Sequence, residues 1–320
     1  MHHATTDDVR HAYRLLLGRE PDPGGFQTYA DKIANGGISV SELAAIFLSS
    51  VEFKERNDSG SVLEEIAFGD LKLYPWRGDN QIGAYIKATG EYEGYILPEF
   101  VSAVPSGGVV LDVGANIGTY SLSAARKVGP DGRVFAVEPV ARNVQSLCAG
   151  VYGNGFKNVS ILPIAASNAT GVVPLLRNAN SSNGIVDLHA SVASADAFVP
   201  AQRLDFLLSG LDRLDVVKID IEGHEPVAWS GLKSLLERHR PRIFTEFSPT
   251  AIRNHSRIEP ENYLAELFSY ASRIDIFHVD GSRVQSDSVA HVMREWREMS
   301  DRLGRADFHH LDLAVFPKAA

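Results

Sequence analysis

Residues 109–118 read VVLDVGANIG, an apolar run that passes directly into a turn with two glycines. Such a run, bounded by glycine, predicts a buried β-strand followed by a helix. Gly114 and Gly118 let the backbone approach a ligand closely at the start of that helix, where unpaired N–H groups and the helix dipole favour a negative group. This stretch therefore predicts the first strand and the ligand-binding turn of an α/β fold.

The second predicted strand, residues 133–137, ends at Glu138, whose carboxylate suits the two hydroxyls of a ribose. A dinucleotide fingerprint has the pattern Gly-x-Gly-x-x-Gly, which wraps a pyrophosphate, but Asn116 stands where the middle glycine belongs. The pattern thus favours S-adenosylmethionine over NAD, and Asp112 is predicted to meet the ammonium of its amino-acid tail. The alternative is a purely structural turn with an exposed glutamate.

The bulk composition is that of a globular protein, with 320 residues, 44% hydrophobic and 22% charged. A net charge of −9 and a pI near 5.7 disfavour nucleic acid or an anionic membrane as partner and favour a small or neutral acceptor. Cys148 is the single cysteine, so an internal disulfide is excluded. No apolar run approaches the ~18 residues of a membrane helix, and we expect a soluble, cytoplasmic protein.

The chain is expected to hold two domains. Helical periodicity up to about residue 56 predicts a small bundle of three helices, and the polar stretch 57–61 reads as a linker. We place the helical domain at residues 1–57 and an α/β domain at 58–320, whose first part, 58–105, caps the sheet.

The second domain is predicted to be a mostly parallel α/β sheet of seven strands with an antiparallel last strand. A helix is expected after each of the first five strands, and the 289–303 helix is inserted before the last. The predicted strands are residues 109–113, 133–137, 159–165, 215–221, 242–247, 273–278 and 310–316.

Acidic side chains gather where the fourth and fifth strands end. Lys218, Asp220 and Glu222 alternate along the fourth strand and should share one face, with Glu246 of the fifth strand alongside. Carboxylates this close need a cation, a proton or a donor between them. Asp220 and His224 are candidate bases for removing a proton from a hydroxyl acceptor, and Asp220, Glu222 and Glu246 are also candidate ligands for Mg²⁺.

Each of these assignments has a structural alternative. Lys218 would pair with Asp220 and Glu246 in a salt-bridged strand end, Glu222 would cap the following helix, and His224 would donate to a carbonyl. The sequence lacks the zinc-hydrolase pattern His-Glu-x-x-His and the serine-hydrolase pattern Gly-x-Ser-x-Gly.

Several separated motifs resemble the FkbM family of methyltransferases over residues 63–316. They are LDVGANIGTY at 111–120, Glu138-Pro139, Leu204-Asp205, VKIDIEGHE at 217–225 and Thr245-Glu246-Phe247. The resemblance implies a Rossmann-like seven-stranded fold, S-adenosylmethionine as donor, and methylation of a hydroxyl on a sugar or a polyketide.

The resemblance also implies roles for individual residues. The turn that includes Gly114, Ala115, Asn116 and Gly118 would face the methionine part of the cofactor, and Asp220 with Glu222 the acceptor. The remaining positions implied on the cofactor side are Glu93, Tyr120, Glu138 and Pro139, with Ala165 and Ala166 beside the adenine.

Residues 9–53 are similar to a small helical domain attached to bacterial surface-polysaccharide enzymes. That likeness favours a glycan or glycoconjugate acceptor, and it implies association with glycan-biosynthesis enzymes through the helical domain, or a homo-oligomer. Three alternatives stay open: methylation of a polyketide or other secondary-metabolite hydroxyl, an NAD-dependent oxidoreductase, and a non-catalytic binding protein.

Overall fold

The computed structural model describes residues 3–17, 19–50, 52, 62–177, 184–186, 195–304 and 310–319. The chain divides into two compact units, Met1–Leu63 and Glu64–Ala320. The predicted linker at 57–61 lies outside the described residues.

The first unit contains three helices, α1 (Thr6–Leu17), α2 (Pro23–Gly36) and α3 (Val40–Ser49). A capping box begins α3, because the Ser39 hydroxyl accepts from the Glu42 N–H while the Glu42 carboxylate accepts from the Ser39 N–H. A small apolar core holds the unit together; its buried members are Ala4, Val9, Tyr13, Leu17, Leu43 and Phe47.

The second unit contains the remaining elements. Its strands are β1 (Ile66–Phe68), β2 (Leu71–Leu73), β3 (Val109–Val113), β4 (Arg133–Val137), β5 (Val159–Leu162), β6 (Ala165–Ala166), β7 (Gly171–Arg177), β8 (Gly184–Val186), β9 (Ala197–Gln202), β10 (Val216–Ile219), β11 (Arg242–Phe247), β12 (Ala271–Phe277), β13 (Arg283–Ser286) and β14 (Leu311–Pro317). Its helices are α4 (Ile82–Thr89), α5 (Leu97–Ala103), α6 (Thr119–Val128), α7 (Ala141–Gly153), α8 (Leu204–Leu207), α9 (Glu225–Ser230), α10 (Lys233–His239), α11 (Pro249–Ala251), a π-turn (Ile252–Ser256), α12 (Pro260–Tyr270) and α13 (Val289–Leu303).

The main sheet has the order β13-β12-β14-β11-β10-β3-β4-β5. Apart from the edge strand β13, the order is Rossmann-like. The chain starts at β3 in the centre and runs through β4 to β5 at one edge, then returns to β10 beside β3 and builds the other half of the sheet. β14 runs antiparallel to both β11 and β12, so the predicted antiparallel last strand is confirmed. β13 adds an eighth strand at the edge, which the sequence pattern did not predict.

One prediction about the helices is wrong. After β5 the described residues, 163–177, 184–186 and 195–203, form no helix but a separate four-stranded sheet in the order β6-β9-β7-β8, which we call the small sheet. Apolar residues of β7 and β9 alternate between a buried and an exposed face, as in Val172 at 67% exposure beside the buried Val173. This period of two suits a strand and excludes an amphipathic helix.

Buried apolar side chains pack on both faces of the main sheet and hold its strand ends in register. Within the described part of the chain, none of the helices has the length and hydropathy needed to cross a bilayer.

Candidate active site

A cavity of about 330 Å³ lies beyond the carboxyl ends of the strands, beside β3 and β10. β3 and β10 are parallel neighbours, and the order in which strands are added to the sheet changes direction between them. Open α/β sheets bind their ligands at such a point. A cavity of this volume is in the range of small-molecule sites. Its lining residues are Ile82, Tyr92, Glu93, Val113, Gly114, Ala115, Asn116, Thr119, Tyr120, Val137, Glu138, Pro139, Asn143, Ile164, Ala165, Ala166, Val186, Lys218, Asp220, Ile221, Glu222, His224, Glu246, His310 and Asp312.

The turn after β3 requires a glycine for a steric reason. Gly114 has a φ of 90°, and a Cβ placed on it would lie 1.8 Å from the carbonyl oxygen of Asp220. The turn and the end of β10 therefore touch through their backbones. Asn116 also lies in the left-handed region, with a φ of 49°, a conformation that asparagine tolerates better than most side chains.

Glu138 is held by three donors. Its Oε2 accepts from the Asn116 N–H at 2.8 Å, and its Oε1 accepts from the Val140 N–H at 2.8 Å and the Asn143 amide at 3.3 Å. A carboxylate has about four acceptor positions, so one remains for a ligand hydroxyl. Burial raises the pKa of Glu138 to about 7, although the hydrogen bonds from Val140 and Asn116 oppose that shift.

Around Glu138 the cavity is apolar. Ala165 and Ala166 of β6 and Val186 of β8 line it, together with Ile164. We call this part, with Glu138 at its border, the apolar end. Its side chains are small and nonpolar, so it suits the face of a flat ring.

The opposite part, which we call the acidic end, is built around Lys218. It comprises Glu93, Lys218, Asp220, Glu222, Glu246, His310 and Asp312. The Lys218 ammonium donates to Asp220 at 2.7 Å and lies 4.3 Å from the centre of the Tyr120 ring. The predicted alternation of Lys218 and Asp220 on one face of β10 is what brings these two groups together.

Asp220 and Glu246 share a hydrogen bond, which accounts for two acids lying side by side. Burial and the charge of Asp220 raise the pKa of Glu246 well above its usual value, which favours the protonated form of Glu246 in this pair. Burial alone would raise the pKa of Asp220, but Lys218 and the hydrogen bond from Glu246 bring it below the usual value. Asp220 is therefore the carboxylate of this pair that remains ionised.

The turn after β10 positions Glu222, which has a φ of 58°. Burial and the charge of Asp220 raise the pKa of Glu222 to about 7. The carboxylate that closes this turn is Glu225, whose Oε1 accepts from the N–H groups of Ile221 at 2.8 Å and Gly223 at 3.1 Å. Glu225 therefore holds the backbone of this turn together just before α9. His224 precedes α9 and is 1% exposed.

Two tyrosines hold the remaining acids of this end. Tyr120 donates to Glu93, and Tyr95 donates to Asp312 at 2.8 Å. Burial raises the pKa of Glu93 to about 7, with a further contribution from the Asp312 charge. His310 Nε2 lies 3.7 Å from Asp312 Oδ2.

Most of the predicted site residues surround this one cavity, and two do not. Asp112 is fully buried beneath the turn, where it accepts from the Ser121 hydroxyl at 2.6 Å, so it does not line the cavity. Gly118 begins α6 with a φ of 101° and lies against Leu147. Sequence reasoning assigned no site role to Asn143, Val186, His310 or Asp312; only Asp312, an acid within an apolar strand, carried a signal.

The metal hypothesis finds no support in the geometry. Among the residues that the structure describes, no three His, Cys, Asp or Glu side chains form a group that could hold a metal ion. The Lys218 ammonium lies 2.7 Å from Asp220 and supplies the positive charge that these acids need. The three proposed ligands therefore do not fit Mg²⁺.

The family comparison agrees with this architecture. Residues 112–280, more than half of the chain, match the model of the methyltransferase FkbM domain. The protein is thus a methyltransferase by fold and domain content, and the chain belongs to the FkbM methyltransferase family. Residues 3–57 match a domain of unknown function, DUF4214. No curated protein matches the chain.

Similar solved structures include an FkbM methyltransferase from Methylobacillus flagellatus KT, which is 17% identical over 96% of this chain and 60% of its own, at a TM-score of 0.41. A SAM-dependent O-methyltransferase from Thermotoga maritima is 15% identical over 89% of this chain and 84% of its own, at a TM-score of 0.37. A SAM-dependent methyltransferase from Aquifex aeolicus is 17% identical over 71% and 89% of the two chains, at a TM-score of 0.32.

Proposed function

We propose that this protein is an S-adenosylmethionine-dependent O-methyltransferase that acts on a hydroxyl of a glycan or glycoconjugate. The observation that carries the proposal is the division of one cavity into an apolar end bordered by Glu138 and an acidic end built around Lys218. A nucleoside with a positively charged sulfonium tail matches both ends, whereas the pyrophosphate of NAD would meet five carboxyl groups at the acidic end or beside it.

The chain's residues would hold such a cofactor as follows. Glu138 would accept from a ribose hydroxyl through its remaining acceptor position, and the backbone of the Gly114–Asn116 turn would face the methionine part. Glu93 and Tyr120 would lie toward the tail, and Ala165 with Ala166 beside the adenine. When bound, S-adenosylmethionine supplies a methyl group on a good leaving group, so the protein's task is alignment and removal of the acceptor's proton.

The acidic end supports the acceptor role. Asp220 stays ionised, and Glu222, whose pKa is raised to about 7, can exchange a proton near neutral pH. His224 also lines the cavity but is only 1% exposed, so Glu222 and Asp220 are the more accessible of the predicted bases. A glycan acceptor is proposed for two reasons. Carboxylates accept hydrogen bonds from sugar hydroxyls, and residues 9–53 resemble a helical domain that is attached to bacterial surface-polysaccharide enzymes.

Calorimetry with two ligands tests the cofactor. We expect the full chain to bind S-adenosylhomocysteine and not NADH; the reverse preference would overturn the proposal. Transfer of a labelled methyl group from S-adenosylmethionine to a panel of polysaccharides, sugars and polyketides then tests the acceptor. Labelling confined to the polyketides would reject the glycan assignment and leave the cofactor assignment intact.

A further inference from the structure

We propose that the small sheet forms a wall of the nucleobase pocket and that Val186 is the residue through which this wall selects the base. This inference rests on the proposed function, because it takes the apolar end to hold the base of the cofactor. It assigns a specificity role to an element that replaces the helix expected after β5.

Both edges of the small sheet reach the cavity. β6 follows directly on β5 and brings Ala165 and Ala166 to the cavity lining, while β8, at the other edge of the sheet, brings Val186. Val186 is 6% exposed and pairs with Leu175 of β7. The cavity is therefore lined on this side by both edges of the small sheet, although Val186 follows Ala166 by 20 positions in the chain.

The wall is tied to the residue that would hold the ribose. Val186 and Ala165 belong to one apolar cluster with Val140, and the Val140 N–H donates to Glu138 Oε1 at 2.8 Å. The sheet is also fixed to the main body, since a Cβ on Gly231 would lie 2.0 Å from the Ser167 carbonyl oxygen. A close-packed wall of this kind resists displacement, so a larger side chain in it must enter the cavity.

Three small side chains leave the space that a planar base needs. Alanine at 165 and 166 and valine at 186 offer apolar surface without polar atoms, so the base would be recognised by shape and by burial of its faces. Val186 is the largest of the three. Its size therefore sets the width of the space that is left for the base.

The test is calorimetric titration of S-adenosylhomocysteine into the full chain carrying Val186→Trp or Val186→Ala. We expect Val186→Trp to weaken binding at least tenfold because the indole fills that space, and Val186→Ala to weaken it about three- to tenfold because apolar contact is lost. Val172→Trp and Val172→Ala are matched controls, since Val172 lies on the exposed face of the same sheet. Both controls should stay within twofold of the unsubstituted protein.

The outcomes separate this inference from the proposed function. Binding within twofold by both Val186 variants would overturn the role of the wall and leave the cofactor assignment standing. Failure of the unsubstituted protein to bind S-adenosylhomocysteine would overturn the proposed function itself. If thermal unfolding shows that Val186→Trp does not fold, Val186→Ala decides alone.

Discussion

The two ends of the cavity contain buried carboxyl groups that are stabilised in different ways. At the apolar end, Glu138 is surrounded by N–H donors and no ion pair reaches it among the described residues. At the acidic end, Asp220 is stabilised by a buried ammonium group and by a hydrogen bond with Glu246. A carboxylate fixed by backbone donors suits recognition, whereas a cluster that redistributes protons suits chemistry.

The difference also determines how each end should respond to substitution. Removal of Glu138 leaves donors that water or a ligand can satisfy, so its effect should fall on binding. Removal of Lys218 leaves several acids without their cation, so its effect should fall on folding and on turnover.

The largest expected effect comes from Lys218→Met. Lys218 is 6% exposed and paired with Asp220, and loss of one partner of a buried pair costs about 3–5 kcal/mol. Urea unfolding at pH 7 should show this loss. Lys233→Met is the matched control, because its pair with Glu266 is exposed and should contribute no more than about 1 kcal/mol. Equal losses for the two variants would mean that Lys218 stabilises the fold no more than an exposed lysine does. The acidic end would then not depend on a buried ion pair.

Asp220→Asn should act on turnover rather than on cofactor binding. The amide cannot carry the charge that Asp220 presents to the acceptor side, and loss of a group that assists proton transfer slows reactions about 10²- to 10⁴-fold. With an acceptor identified by the labelled-methyl assay, kcat should fall at least ~100-fold while S-adenosylhomocysteine affinity changes less than about threefold. Unchanged turnover would make Asp220 a structural residue.

The contrast between the two ends was only partly visible in the sequence. The Gly114 turn, Glu138 and the alternation of Lys218 with Asp220 are local patterns, and each was predicted from a few consecutive residues. The link between Tyr95 and Asp312 joins residues 217 positions apart, and no local pattern reports such a contact.

In the fold, too, local patterns were predicted from the sequence and contacts between distant segments were not. All seven strands predicted for the main sheet were located within three residues at each end. The small sheet was missed because its pairing joins segments that are far apart in the chain, such as β6 with β9. Strand pairing at a distance depends on tertiary packing more than on intrinsic propensity.

Glu138→Ala tests the recognition role of the apolar end. It should lower the affinity for S-adenosylhomocysteine by at least ~1.5 kcal/mol, the value of a hydrogen bond to a charged group, which is about tenfold. Calorimetry measures the change. Asp205→Ala is a comparison, because Asp205 is also buried after a strand but is paired with Arg203 and does not line the cavity. A stronger effect on binding from Asp205 than from Glu138 would contradict the ribose assignment.

The smallest expected effect is a change in the pH dependence of stability. Burial raises the pKa of Glu222 to about 7, so the folded protein keeps this proton between pH 4.5 and 7 while the unfolded chain releases it. The contribution of Glu222 to the free energy of unfolding is therefore complete below pH 4.5 and is lost as the pH rises to 7, at no more than about 1.4 kcal/mol per pH unit. Glu222→Gln should make the decline in unfolding free energy from pH 5 to 7 less steep.

Glu65→Gln is the control of opposite sign. Hydrogen bonds from Tyr74 and Lys72 lower the pKa of Glu65, so its contribution is present above the usual value near 4.5 and is lost at lower pH. Over pH 5 to 7 its substitution should leave the slope unchanged, because both the folded and the unfolded forms are ionised there. Equal slopes for Glu222→Gln and the unsubstituted protein in urea unfolding would mean that Glu222 does not hold a proton at neutral pH, and the acidic end would lose one of its two candidate bases.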